Sequence, residues 1–195
     1  MDVVTILGAG SHGRDIECIA IDCGWFVEYL DDDPAKGFEP CSTLKSGERF
    51  VIGAWEPRAR YRMWRDVPFS KEPAATLIHP AARIGRDCEI GPGCVIGPGA
   101  MLTNDVVLGH HVHVGAGALL TRCTVSNFST ISNGATILGD VTIGSTVLVG
   151  GNAVVRNLLT VGDGAVIGCG ANVITNVEAN TAVAGNPAKT LGIVP

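Results

Sequence analysis

The chain has 195 residues, 46% of them hydrophobic, 5% aromatic and 17% charged, with 26 glycines and a formal net charge of −5. So apolar and lightly charged a composition excludes intrinsic disorder, and the acidic balance argues against nucleic acid as a partner. The longest apolar runs, such as residues 116–120 and 146–149, fall far short of the roughly 20 residues a membrane helix needs, so no membrane partner is expected either. The N-terminus has an acid at position 2 and neither a basic region nor a cleavage site, which makes a cytoplasmic location the expectation. Seven cysteines, an odd number without a C-x-x-C pair, read as reduced thiols.

The first 75 or so residues alternate strand and helix patterns, as an α/β unit does. Residues 3–7 form a β-branched run, and residues 11–23 follow with Ile16, Ile19 and Ala20 at helical spacing. A second strand is expected over residues 26–30, then the acidic loop Asp31-Asp32-Asp33-Pro34, a third strand over 50–52 and a basic helix over 56–66. The arginines of that helix, Arg58, Arg60, Arg62 and Arg65, read as a solvated face, with a phosphate contact as the alternative.

From Ile84 the rhythm is six. Large aliphatics stand at 84, 90, 96, 102, 108 and 114, and again at 119, 125, 131, 137, 143, 149, 155, 161, 167 and 173, with a mostly small residue four positions after each. A fixed period of this kind dictates architecture: here a three-faced prism, with the aliphatics inside and Cys88 and Cys94 as interior fillers. The glycines that follow many of the aliphatics, such as Gly85, Gly91, Gly97, Gly109, Gly144, Gly150, Gly162 and Gly168, are expected to supply unusual backbone angles near the corners. The register slips by one residue between Val114 and Val125. The fold class expected is therefore an α/β, Rossmann-like N-terminal half domain over residues 1–76, followed by a parallel β-helix of hexapeptide repeats over residues 77–195.

The glycine motif can be read on its own chemistry. Gly8, Gly10 and Gly13 form G-x-G-x-x-G after a strand and before a helix, where backbone N–H groups favour phosphate, and Asp31 ends the second strand where a ribose hydroxyl is often taken. Too few residues precede the repeats for two mononucleotide halves, so a nucleoside diphosphate fits better than a dinucleotide. Ser11, His12 and Asp32 complete the candidate substrate-binding set. His12 is read either as a contact to phosphate or sugar, or as a structural or solvated side chain.

The Ile-Gly repeats closing on Ala184-Gly185-Asn186-Pro187-Ala188-Lys189 resemble those of the hexapeptide acyltransferases. Together with Gly8-Ala9-Gly10-Ser11-His12-Gly13, the acidic loop and Leu77-Ile78-His79-Pro80, they make the whole chain similar to the sialic acid O-acetyltransferase type, which includes N-acetyltransferases of nucleotide-linked sugars. The resemblance implies a left-handed β-helix and a homotrimer. It also implies acetyl-CoA bound between neighbouring β-helices and a nucleotide-linked sugar on the N-terminal domain. In that family a histidine at a corner of the central coil serves as general base, but the matching run, Leu119-Leu120-Thr121-Arg122-Cys123, is one residue short and has no histidine. Thr121 or Arg122 takes its place, and Thr130 takes that of a second family histidine on the cofactor path.

Three histidines, His110, His111 and His113, lie one coil earlier, and by spacing His113 stacks beneath Thr130. His113 or His111 is the candidate replacement base, and ordinary exposed corner residues are the alternative. No metal is expected, and His79 reads as structural. The loss of the family base favours an amine acceptor over a hydroxyl, because a neutral, well-placed amine attacks a thioester by proximity alone. Thr130, Gly139, Gly151, Gly168 and Gly170 are the expected cofactor lining, with Lys189 for its phosphates. The function expected is acyl transfer from acetyl-CoA; a catalytically silent, nucleotide-binding or scaffolding trimer is the alternative.

Overall fold

A computed structural model describes residues 2–67 and 74–194. The N-terminal unit is a three-stranded parallel sheet, β1 (Val3–Leu7), β2 (Phe26–Leu30) and β3 (Phe50–Ile52), in the order β2-β1-β3. Helix α1 (Ser11–Asp22) connects the first two strands, and α2 (Pro57–Asp66) follows the third. Val4, Ile6, Ile16, Ala20 and Val51 pack on one side of the sheet and Leu7, Phe50 and Ile52 on the other, which is why these strands read as near-continuous apolar runs.

Seventeen two-residue strands, from Leu77–Ile78 to Asn172–Val173, then wind into a solenoid of about six turns with three flat parallel sheets. Two longer antiparallel strands, Thr181–Ala184 and Lys189–Ile193, cap its far end. The first coil is also welded to the N-terminal unit: Leu77 and Val95 belong to the same buried cluster as Ile6 and Ile16. Successive coils pair residues eighteen apart, as Val95 with His113, except across one corner, where His113 pairs with Thr130, and at the far end, where Val166 pairs with Ala182. The missing residue lies between Leu120 and Thr124, since Leu119 is eighteen from Met101 but Thr124 only seventeen from Val107. Leu120, fully buried, is therefore the interior residue of that face; Leu119, counted as interior from the spacing, points partly outward. Cys94 is buried in the prism and Cys88 packs against its core.

The corners follow one rule. In the regular corners from Ile84 to Ile167 the third residue after the interior aliphatic takes a left-handed conformation, for example Asp87, Gly93, Asp105, His111, Gly134, Asp140, Thr146 and Asn152; in the shortened corner it is the second, Arg122, at φ 39°. The glycines directly after the aliphatics do not have positive φ, contrary to expectation. They are there for clearance: a Cβ on Gly91 would collide with the carbonyl oxygen of Gly109 in the next coil.

Candidate active site

The turn after β1 is built for close approach. Gly8 has φ +103°, and a Cβ on Gly13 would overlap the carbonyl oxygen of Gly8, so the first turn of α1 can sit directly on the loop. Gly10 is the N-cap and adds no side-chain cap, which leaves the first-turn amides of Ser11 and its neighbours to other partners. Asp31 is buried and braces this loop: its carboxylate accepts from Ala9 N at 2.6 Å, Asp33 N at 2.8 Å and Lys36 Nζ at 2.7 Å. Burial opposes its ionisation, yet these donors hold its pKa below the usual carboxylate value. Both oxygens thus accept hydrogen bonds within the protein, and the carboxylate fixes the loop at which the spacing suggests a ribose contact. Asp32 Oδ1 accepts from Cys41 N at 2.8 Å and fixes the same loop.

Between α1 and the solenoid lies a cavity of about 590 Å³, with Ser11, His12, Asp15 and Trp55 on one side and Val95, Gly97, His113, Gly115 and Asn133 on the other. His12 Nε2 lies 2.9 Å from His113 Nδ1, joining two residues a hundred positions apart in sequence. The His12 ring stands edge-on to Trp55 with centroids 5.1 Å apart, and its Nδ1 is 3.9 Å from Asp15 Oδ2. Burial, aided by the Arg60 charge and opposed by Asp15, pushes the pKa of His12 down to about 4. His113 is buried, and burial, then Arg60, His12 and His111, hold its pKa well below the ordinary histidine value. Two neutral rings therefore share one proton across this contact, while His113 Nε2 has no partner among the described residues. Across the cavity, His79 Nδ1 accepts from Ala81 N, so its Nε2–H donates to Asp22 Oδ2 at 2.9 Å.

Thr130 pairs with His113 on the next coil, as the spacing implied, but it is fully buried. Its hydroxyl donates to Trp55 O at 3.0 Å and receives Arg60 Nη2 at 2.8 Å, so it locks the domain junction and faces no cofactor path. Arg60 is itself fully buried, where a solvated face was expected. Its guanidinium donates to the carbonyls of Ala54, Trp55, His111, Phe128 and Ser129 as well. One signal marked it: Arg60, Met63 and Trp64 fall at i, i+3 and i+4, the least exposed side of α2, with the buried Val67 at i+7 just past its end.

His111 is buried too, not an exposed corner. It sits outside the cavity, stacked on Phe128 at 5.1 Å and 8°, with Phe50 and Trp64 around it. Burial first, then Arg60 and His110, push its pKa down to about 3. Thr121 is not part of the cavity lining and belongs to another corner of the prism, beside Arg122. Arg122 forms a two-point ion pair with Asp140, 2.8 Å on each arm, and lies over Gly139. Gly151 and Gly170 share instead the edge that rises from the cavity: Gly117 bonds to Pro98, Gly134 to Ala116, Asn152 to Asn133 and Gly170 to Gly151 along it. Gly168 stands beside Gly170 on this edge, and Lys189 lies in the terminal antiparallel pair. Among the described residues no three histidine, cysteine or acidic side chains gather as a metal site, and no helix is long and apolar enough to cross a membrane.

The resemblance to the hexapeptide-repeat acyltransferases read from the sequence holds in comparison with known proteins. The bacterial transferase hexapeptide family (six repeats) matches residues 74–104 and 87–122. The acetyltransferase domain of PglB from Neisseria gonorrhoeae is similar over 98% of this chain and 100% of its own, at 28% identity and a TM-score of 0.89. The same domain in complex with acetyl coenzyme A matches at 28% identity and a TM-score of 0.87, over 97% of this chain and 98% of its own. A variant of perosamine N-acetyltransferase from Caulobacter crescentus, in complex with CoA and GDP-perosamine, shares the fold at 22% identity and a TM-score of 0.90, over 98% of both chains. The solenoid is thereby left-handed, against the general right-handed preference of parallel crossovers. No curated protein matches the sequence.

Proposed function

We propose that this chain transfers an acyl group, acetyl in the first instance, from a coenzyme A thioester to the amino group of a nucleotide-linked sugar. The observation that carries the reading is the cavity between α1 and the solenoid, which sets Ser11, the first helical residue after the glycine loop, beside an imidazole pair. The N-terminal unit acts as a Rossmann-like half domain: Gly8, Gly10, Ser11 and Gly13 receive the diphosphate, Asp31 and Asp32 hold the loop that meets the nucleoside, and the sugar points into the cavity. The similarity to an acetyltransferase domain solved with acetyl coenzyme A supports the donor. The edge through Gly151, Gly168 and Gly170 is rich in glycine and suits a pantetheine arm running against backbone, with Lys189 near the phosphates. A neighbouring solenoid of a trimer closes the other wall and brings in Thr121 and Gly139, which lie on a different corner of the same chain.

Thiol release from acetyl-CoA, measured with a panel of nucleotide-linked amino sugars, tests the reading. The expected result is one thiol released per sugar amine acylated. Retained nucleotide binding with no thiol release from any acceptor would sink it and leave a catalytically silent, nucleotide-binding homologue.

A further inference from the structure

We propose that the proton of the acceptor amine is taken by His12 of the N-terminal unit, held in the working tautomer by His113 behind it, and not by any group on the solenoid corner. This rests on the acyltransferase reading and assigns the work within it. The shortened corner holds no base: Arg122 keeps its proton at any ordinary pH and is tied to Asp140, and the hydroxyl of Thr121 is no proton acceptor near neutrality. Of the five histidines, His110 is exposed and outside the cavity lining, and His111 is sealed in the aromatic stack. His79 has both ring nitrogens engaged, with Ala81 N and Asp22. His113 lines the cavity from the solenoid side but is only 2% exposed, and its Nδ1 is turned to His12. That leaves His12, with its side chain 16% exposed on the cavity wall and steadied by Trp55.

The contact with His113 determines which nitrogen does the work. When His12 Nε2–H donates to His113 Nδ1 across 2.9 Å, His12 Nδ1 is left as a lone pair, 3.9 Å from the Asp15 carboxylate. The amine nitrogen attacks the thioester carbonyl, a C–N bond forms and the carbonyl becomes an oxyanion. The ammonium proton then passes to His12 Nδ1, where Asp15 favours the imidazolium. As the carbonyl re-forms, the C–S bond breaks, and the thiolate recovers the proton from His12 to leave as coenzyme A thiol. The groups facing His12 are Asp15 on its own helix, His113 on the solenoid and Arg60 on α2, with His79 and Asp22 across the cavity.

The test compares wild type with His12→Gln, His113→Ala and His113→Asn in steady-state thiol release, with thermal unfolding and nucleotide binding as checks of folding. General-base work predicts that His12→Gln lowers kcat by about 100-fold or more with KM changed by less than about threefold. His113→Ala lowers kcat by roughly tenfold, and His113→Asn, whose amide oxygen can accept in place of Nδ1, restores most of it. A His12→Gln enzyme with kcat within threefold of wild type overturns the assignment while leaving the acyltransferase reading intact. If the variants do not fold, nitrogen-15 NMR of histidine-labelled wild type decides: a proton on His12 Nε2 supports the proposal and a proton on Nδ1 overturns it. Absence of any transfer by wild type removes the parent reading, and this one with it.

Discussion

A guanidinium buried to 0% exposure must exchange its whole hydration shell for acceptors, and Arg60 does so with five backbone carbonyls and the Thr130 hydroxyl. Burial pulls its pKa down to about 9, so it remains charged near neutrality. The acceptors come from two units: Ala54 and Trp55 from the segment after β3, and His111, Phe128, Ser129 and Thr130 from two coils of the solenoid. One side chain therefore ties the N-terminal unit to the prism and fixes Trp55, which in turn borders His12. Arg60→Met leaves several buried carbonyls without a donor. It is expected to cost about 3–5 kcal/mol, the range seen when one partner of a buried charged network is removed. Arg60→Lys, with three donors on a single point and no fork, recovers only part of that. Urea unfolding followed by tryptophan fluorescence measures both, and a loss under about 1 kcal/mol for the methionine variant would mean that the junction is held by packing alone.

At the scale of a single corner, the solenoid repeats one backbone demand and meets it unevenly. The left-handed position carries glycine, aspartate or asparagine at most corners, but Thr146 occupies one of them at φ 54°. A β-branched residue is poorly suited there, since its Cβ crowds the following carbonyl. Thr146→Asn is expected to raise stability by about 1 kcal/mol, read from the unfolding midpoint, with no change in thiol release. This repetition is also why the prism was legible in the sequence: each coil imposes the same interior demand at the same spacing, so Ile96, Leu102 or Val149 is marked many times over by its neighbours. The stacking of His113 under Thr130 followed from that period as well. What the period does not reach is the docking of the N-terminal unit onto one face. That docking buries Arg60, uses up the Thr130 hydroxyl and brings His12 to His113, all through contacts between residues about 50 to 100 positions apart. The loop contacts of Asp31 were out of reach for a similar reason: spacing places a carboxylate at the strand end, but only the folded loop shows Ala9, Asp33 and Lys36 holding it.

For the molecule as a whole, the junction stores three imidazoles that the fold keeps neutral: His12 with its pKa lowered to about 4, His111 to about 3 and His113 well below its ordinary value, with burial the largest cause in each case. In the unfolded chain each titrates near 6.5. As pH falls below that value the unfolded state takes up protons that the folded state refuses, so stability is lost on acidification. Each such group contributes about 1.4 kcal/mol per pH unit until its own folded pKa is reached. His111 isolates the effect, because its ring is stacked on Phe128 outside the cavity and its carbonyl, not its side chain, receives Arg60. Phenylalanine at 111 keeps the stack, and Phe128 at φ 60° shows that a phenyl side chain can occupy the same left-handed position one coil on. His111→Phe should therefore unfold within about 1 kcal/mol of wild type at pH 7, yet be more stable by about 2–3 kcal/mol at pH 4.5, where the wild-type unfolded state is protonated at this residue and the folded state is not. Urea midpoints at the two pH values give the comparison. An equal difference between the proteins at both would mean that His111 titrates alike in the folded and unfolded chain, and that the acid sensitivity of the junction arises elsewhere.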